Sequence, residues 1–389
     1  MKSLGSLALL CLLATTGLVK AQQPALVADK QVVFKNEHET HIESSTRLIQ
    51  LAENEEPKRM SESDIFELIR QRKKFMDVTD YQDRVPKTAT TFTRVSKIPS
   101  EPGHKDQVQP FIDDLKTENM QESLRKFTNF RTRYYKSRWG AKSCRWLLSK
   151  IQEIAAPVAD RVSVHKFEHS WNQFSIVARF EGSNPDLTNE LVIVGAHQDS
   201  VNMWLPEFGR SPGADDDGSG TVTILEAFRS LVDNGFAPER PVEFHWYSAE
   251  EGGLLGSQAI AQNYTDSNKE IVGMIQNDMT GYVGGHEPTM GVITDYVDQK
   301  LTDFIKTLIK NYCSIPYVET QCGYACSDHA SWRKHGFPSG FVIESSFDDS
   351  SPYIHTSGDT IDKLSFDHMK EFAKLAIGFA VELSHKISN

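Results

Sequence analysis

Gly213-Ala-Asp-Asp-Asp-Gly-Ser-Gly220 sets three consecutive carboxylates in a glycine-rich stretch directly before an apolar helical pattern. Adjacent Asp side chains repel one another and compete with regular backbone hydrogen bonding, while the flanking glycines admit sharp backbone conformations. A divalent cation relieves that repulsion, because hard and borderline ions take carboxylate oxygen. The same stretch also suits a helix N-terminus, where Asp meets the positive end of the dipole. A calcium hand is excluded: the aspartates are contiguous rather than alternating, and no Glu closes a twelve-residue loop. Further ligands must come from elsewhere in the chain.

Each further candidate follows an apolar run. Residues 191–195 deliver His197 and Asp199, two apart in extended chain and so on one side, where the carboxylate can accept a hydrogen bond from the imidazole. Residues 242–247 deliver Glu250 and Glu251; as neighbours they point differently, so one can hold a metal while the other faces a bound water. Residues 271–277 lead to Asp278. The loop after 340–343 carries His355, in Ser351-Pro-Tyr-Ile-His-Thr-Ser-Gly-Asp-Thr360. Singly, each has an ordinary explanation, such as a structural His or two solvated Glu opening a helix. Two His and several carboxylates at one edge of a sheet are the composition of a two-metal hydrolytic centre.

Such an edge needs a frame. Alternating or continuous apolar runs predict strands at 167–180, 190–195, 241–247, 271–277 and 340–343. Helical spacing predicts two helices within 106–154, then helices at 219–233, after Gly253, at 298–312 and at 365–387. Strands alternating with helices give an α/β fold, a mainly parallel sheet covered on both faces. In such sheets ligands bind at the carboxyl ends of the strands.

At 389 residues, 39% hydrophobic and 24% charged, the chain is an ordinary globular protein with room for one large core or two modest ones. A net charge of -11 argues against a nucleic-acid surface and for small or peptide substrates. The N-terminus reads as a signal peptide over residues 1–21, with an apolar run too short to span a bilayer and no later span, so secretion is expected and membrane anchorage is not. Residues 22–87 are charge-rich, with a helical pattern at 63–70, and suit a propeptide or a helical cap on the domain that follows. Maturation is placed in the Pro-, Ser- and Thr-bearing linker at 85–105, leaving a catalytic domain at 88–389. Cys322 and Cys326, in Cys-Gly-Tyr-Ala-Cys, can hold a metal or form a tight disulfide, the latter favoured in an oxidising compartment; Cys144 and Cys313 can pair or stay free. The sequon at Asn263 predicts a glycosylated surface loop.

Ala196-His-Gln-Asp199, Gly213-Ala-Asp-Asp-Asp217, Ala249-Glu-Glu251, Asn277-Asp-Met-Thr280, Cys322-Gly-Tyr-Ala-Cys-Ser-Asp-His-Ala-Ser-Trp332 and Ile354-His355 resemble, in order and spacing, the secreted di-zinc leucyl aminopeptidases of peptidase family twenty-eight. The resemblance runs from about Asp106 to the C-terminus. It implies a three-layer α/β/α sandwich with a mainly parallel mixed sheet, the zinc-peptidase (phosphorylase/hydrolase-like) fold, preceded by a removable propeptide. It implies two Zn2+ bridged by Asp216, one completed by His197 and Asp278 and the other by Glu251 and His355. Glu250 matches the general base that activates a metal-bridging water, and Asp199 the partner of His197. The family's cis peptide bond falls between Asp216 and Asp217, and its disulfide joins Cys322 to Cys326. The pocket for the N-terminal side chain, leucine or another large apolar residue, falls on Met279, Ile293, Cys322, Cys326, Phe347 and Ile354. Two wall positions depart from the bacterial pattern, Ile343 for an aromatic and Ser350 for Tyr. The implied partner is a peptide with a free N-terminus, met by a monomer. The rivals are another di-zinc hydrolase on the same fold, a carboxypeptidase or phosphoester hydrolase, and a non-catalytic binding ectodomain.

Overall fold

The computed structural model describes residues 46–81, 98–285 and 287–386. The expected signal peptide, the propeptide residues before 46 and most of the expected linker lie outside the described residues.

From residue 98 onward the chain runs three helices and then alternates strands with helices, after an opening segment that holds β1 (Arg47–Gln50), β2 (Lys58–Met60), α1 (Glu62–Arg70) and β3 (Met76–Asp77). The following elements are α2 (Lys105–Asp113), α3 (Thr117–Phe127), α4 (Arg138–Ala155), β4 (Val162–Phe167), β5 (Ser175–Phe180), β6 (Glu190–His197), α5 (Gly218–Asp233), β7 (Val242–Tyr247), α6 (Leu255–Asp266) and β8 (Glu270–Asn277). Then come β9 (Met290–Ile293), α7 (Gln299–Tyr312), β10 (Tyr317–Thr320), α8 (His329–Lys334), β11 (Ser339–Ile343) and α9 (Phe366–Ser384). β4 to β11 form one sheet in the order β10-β9-β11-β8-β6-β7-β5-β4. Its centre, β11-β8-β6-β7, is parallel throughout, and antiparallel pairs occur only further out, at β9–β11, β7–β5 and β5–β4. The four central strands therefore end at one rim.

The period-2 alternation of β6 decides the layers. Val192, Val194 and Ala196 face a core built with α4, α5, α7 and α9, while Leu191 and Ile193 face a second cluster containing Ile260, Ala261 and Tyr264 of α6 and Trp332 of α8. Helices thus cover both faces, and the expected three-layer α/β/α class is the observed one. A strand buried on both sides must be apolar without interruption, which is why 191–196 carries no polar side chain.

Three expectations about elements need correction. Residues 106–154 hold three helices, because α2 and α3 are separated at residues 114–116, where Lys116 N–H and Asn119 are taken by the buried Glu226 of α5. The strand expected at 167–180 is shorter: β5 covers 175–180, and residues 168–174 connect it to β4, with which it pairs antiparallel from Val162↔Phe180 to Phe167↔Ser175. Its connection is packed by the stack of His169 on Trp171, whose Nε1–H donates to Ser248 Oγ at 2.9 Å. The sequon residue Asn263 lies exposed on α6 rather than in a loop. Among the described residues no helix is long and apolar enough to cross a membrane.

The opening segment packs on the body. Ser61 caps α1 with a reciprocal capping box to Asp64, and the buried face of α1, Ile65, Leu68 and Ile69, meets Tyr134, Tyr135, Val201, Met203 and Ala249. Asp77 is fixed by Arg47 at 3.0 Å, and its carbonyl accepts from Gln258 Nε2 of α6 at 2.8 Å.

Candidate metal centre

The rim of the parallel strands collects the candidates. β6 ends on His197, β8 stops one residue before Asp278, β7 stops three residues before Glu250, and β11 leads by a loop to His355. The backbone bends sharply at these points: Ala249, Met279 and His355 all take left-handed φ, 59°, 60° and 59°. Such conformations in non-glycine residues cost of order 1 kcal/mol or more and persist where the surroundings enforce them. Gly220 lets α5 start against the end of β8, since a Cβ there would meet the Asn277 carbonyl and the Asp217 carboxylate. The Asp216–Asp217 peptide bond is cis, as the resemblance implies.

Asp216 lies between two imidazoles. Its Oδ1 is 3.2 Å from His197 Nε2, and its Oδ2 is 3.1 Å from His355 Nε2. His197 Nε2 also faces Asp278 Oδ1 at 3.4 Å, and His355 Nε2 faces Glu251 Oε2 at 2.9 Å. The expected ligands thus gather as two groups sharing one carboxylate, and two metal-sized groups of ligand atoms exist here, His197 with Asp217 and Asp278, and Asp216 with Glu251 and His355. Asp217 is the unexpected member. Its oxygens already accept the backbone N–H of His197, Gly220 and Met279, so it also braces the loops that carry the others.

The charges lean the same way. Burial raises Asp216, but the two imidazoles outweigh it and hold this carboxyl well below its usual range. Burial would strip charge from His355, yet Glu251 and Asp216 lift it to about 10. His197 is likewise raised, by Asp278, Asp199 and Asp216 against its burial. The carboxylates demand positive charge from whatever sits among them. Burial pushes Glu250 well above the usual carboxylate range, and Glu251 beside it adds to the effect.

Asp199 does not make the expected bond. It stands 3.5 Å from His197 Nδ1, long for a hydrogen bond, and its oxygens take the backbone N–H of Glu250 at 3.0 Å and of Glu251 at 3.2 Å. It therefore orients the ring by charge and the two glutamates by hydrogen bonds.

The six expected pocket residues form one cluster. Met279, Ile293, Cys322 and Cys326 are buried together with Phe341 and Ile343, and Phe347 and Ile354 pack against them. Cys322 and Cys326 are joined by a disulfide, while Cys144 and Cys313 are free. A cavity of about 310 Å³ adjoins this cluster, walled by Glu250, Glu251, His355, Met279, Phe347, Ser350 and Ile354.

The model of peptidase family M28 matches residues 175–380, which span β5 to α9 and every residue of the centre. The chain belongs to peptidase family M28. It is therefore a peptidase by family, and its relatives agree. It is 46% identical over 388 residues to "Leucine aminopeptidase 1" of Coccidioides posadasii, covering 96% of this chain and 98% of the relative. The LapA aminopeptidase of Legionella pneumophila is similar in structure, with a TM-score of 0.76 and 32% identity, covering 88% of this chain and 95% of that one. LapB of the same organism has a TM-score of 0.76 and 28% identity over 87% of this chain and 94% of its own.

Three features of this M28 site escape sequence reading. Asp359 grips the loop of Asp216 from below, its two oxygens accepting Asp215 N–H at 2.8 Å and Asp216 N–H at 3.1 Å. Its only sequence signal is its place four residues after His355. Arg133 is fully buried and donates to the carbonyls of Gln198, Pro212 and Gly213, stitching both ligand loops to the start of α4's approach. Nothing in its neighbourhood of the sequence marks it. Lys74, from the opening segment, lines the cavity with Phe75. Burial would lower its ammonium, but Glu250, Asp216, Asp278 and Glu251 raise it overall, so it stays charged at the rim.

Proposed function

We propose that this M28 peptidase is an aminopeptidase that uses two zinc ions to remove leucine or another large apolar residue from the free N-terminus of a peptide. The observation that carries the proposal is the sharing of Asp216: each carboxylate oxygen faces a different imidazole, and each imidazole has one more carboxylate beside it. The residues fit the metal. Buried His197 Nε2, Asp278 Oδ1 and Glu251 Oε1 have no hydrogen-bond partner, which a folded protein tolerates where an ion is to be held. Imidazole and carboxylate donors suit zinc, and the imidazoles would shed their protons on binding it. His197, Asp216 and Asp278 would hold one ion and Asp216, Glu251 and His355 the other.

Bound zinc would supply the charge that brings the pKa of water from about 16 towards 7 and polarises a carbonyl. This chain's residues do the rest. Glu250 stands on the cavity wall, takes the proton of the attacking water and returns it to the leaving amine; a carboxyl held above its usual range is matched to that exchange. Asp199 fixes the amides of both glutamates, so that Glu250 faces the cavity while Glu251 faces His355. The substrate's ammonium would lie against the same carboxylates that raise Lys74. Its side chain would enter the apolar cluster around Met279, Ile293 and Ile354.

The proposal extends to a secreted, glycosylated proenzyme. The signal pattern at 1–21 supports secretion, the exposed Asn263 supports glycan attachment, and residues 69 and 72–75 wall the cavity as an inhibitory propeptide would. The test compares zinc-loaded protein on leucyl anilide and on its N-acetyl form, with and without a chelator. Cleavage of the free form alone, lost on chelation and restored by zinc, is the expected result. Equal cleavage of the acetylated form would overturn the reading.

A further inference from the structure

Among the described residues, the large apolar side chains that stand exposed are Trp204 at 67%, Leu205 at 61%, Phe208 at 72% and Tyr353 at 37%. Scattered exposed apolar residues need no explanation, but these fall on two segments joined at one proposed ligand. Tyr353 is two residues before His355, and Trp204 follows Met203, whose backbone N–H donates to the His355 carbonyl at 2.8 Å.

The loop of residues 201–210 is built to keep three of them in water. Asn202 Oδ1 accepts the N–H of Trp204 at 3.0 Å and of Leu205 at 3.1 Å, and its Nδ2 donates to the Arg210 carbonyl at 2.8 Å, tying the two ends together. Ser211 Oγ donates to the Val201 carbonyl at 2.8 Å, and Arg131 Nε to the Phe208 carbonyl at 2.9 Å. Val201 and Met203 anchor the base in the buried cluster with Tyr134 and Tyr135. Apolar side chains left to themselves would fold back on that cluster, so polar bonds here hold out a preformed apolar surface.

His355 joins the two regions: Ile354 before it packs with the pocket cluster, and the His355 carbonyl accepts the N–H of Met203 at the base of the loop. The pocket takes the side chain before the cleaved bond, and Trp204, Leu205 and Phe208 are not among the walls of its cavity, so what they hold lies outside it. Resting on the aminopeptidase reading above, we propose that Trp204, Leu205 and Phe208 hold the part of a peptide substrate downstream of the cleaved bond and favour large apolar side chains there. An extended chain advances about 3.3 Å per residue, so the second and third residues beyond the bond lie about 7–10 Å from it, outside the cavity. Rigid aromatic surfaces bind such side chains with little ordering cost.

The test measures kcat/KM of the zinc-loaded secreted protein and its W204S/F208S variant on leucyl anilide, Leu-Gly-Gly and Leu-Gly-Phe-Phe. Wild type is expected to prefer Leu-Gly-Phe-Phe over Leu-Gly-Gly. The variant is expected to lose roughly tenfold on Leu-Gly-Phe-Phe alone, with unchanged melting temperature and unchanged rates on the anilide, which has nothing beyond its leaving group to bind. An equal loss on all three substrates, or no loss on the long one, overturns the proposal. So does a wild-type dimer that the substitutions convert to monomer, which would assign the surface to a second copy. Failure of wild type on the anilide itself would instead overturn the aminopeptidase reading.

Discussion

Glu243 and Glu251 are buried carboxylates at the two ends of one strand, and they differ in what meets them. Glu243, inside β7, is met by Arg179 Nη1 at 2.8 Å, by the His245 ring at 2.9 Å and by Tyr264 Oη at 2.7 Å. Glu251, just past the end of β7, faces His355 on one oxygen and nothing on the other. A buried charge with every lone pair answered stabilises the fold or is at worst neutral to it; one with an unanswered oxygen costs stability and is kept for something else. The two ends of β7 therefore divide into a structural half and a chemical half. Each prediction below changes one half and asks whether the other responds.

The largest effect belongs to the rim. Glu250→Gln keeps the shape and removes the proton acceptor, so kcat on leucyl anilide should fall by roughly 10²–10⁴-fold while bound zinc and melting temperature stay as in wild type. Metal content by atomic emission beside steady-state rates checks it. Near-normal turnover would remove Glu250 from the mechanism.

The interior should give the converse. Trp246, fully buried on β7, packs against Phe228 and Phe244 and donates its Nε1–H to the Thr221 carbonyl of α5. Trp246→Ala should cost roughly 3–5 kcal/mol in denaturant unfolding, with the rate per folded molecule little changed. A variant as stable as wild type but slow would mean that this part of the strand carries chemistry too.

How far these halves can be told apart from sequence depends on how local each signal is. The strand carrying His197 is legible because a run such as Leu191 to Ala196 has no other home than the middle of a parallel sheet, and the residue after it must then sit at a rim. The ligand types at that rim follow, and the resemblance supplies their roles. Glu243 is not legible: in the sequence it is an acid between Val242 and Phe244, as solvent-facing as any, and beyond His245 two residues on, its partners come from β5 and α6. Asp359 and Arg133 are hidden for the same reason, since what they bond is backbone that arrives from 65 to 144 residues away. The short β9 and β10, four residues each, and α8, with six, are too brief for a periodic pattern to rise above chance. Of the hairpin only β5 falls within the alternation at 167–180; β4, at the sheet edge with Ser163, His165 and Lys166 exposed, gives no apolar run to read.

Glu243 also gives the comparison a pH axis. Burial opposes its ionisation, but His245 and Arg179 bring it from the ordinary 4.5 down to about 2. A carboxyl lowered in the folded state adds stability above its unfolded value, and that addition is lost as pH falls from about 4.5 through about 2. The shift corresponds to an upper limit of about 3 kcal/mol at neutral pH. Glu243→Gln should therefore be less stable than wild type at pH 7, with the gap narrowing as the two are unfolded by urea at pH 4 and pH 3. A gap that stays constant down to pH 3 would mean that the carboxyl's charge is not what stabilises.

The smallest effect tests whether the opening segment belongs to the chemical half. Lys74 walls the cavity, and the carboxylates of the centre keep it charged. Around it the backbone is held by Arg72, whose guanidinium donates to the Pro352 carbonyl at 2.8 Å three residues before His355, and by Asp77 N–H, which donates to the Gly253 carbonyl at 3.1 Å. An ammonium fixed there competes with the ammonium of a substrate for the same carboxylates. Lys74→Ala, in full-length zinc-loaded protein protected from proteolysis, should lower KM for leucyl anilide several-fold, and Lys74→Arg should restore most of the block, since the charge is kept. After proteolytic removal of the segment the three proteins should be indistinguishable. Should Lys74→Ala leave KM of the full chain where it was, residues 46–81 are a structural cap held by α1's apolar face, and the division drawn along β7 stops at the body of the protein.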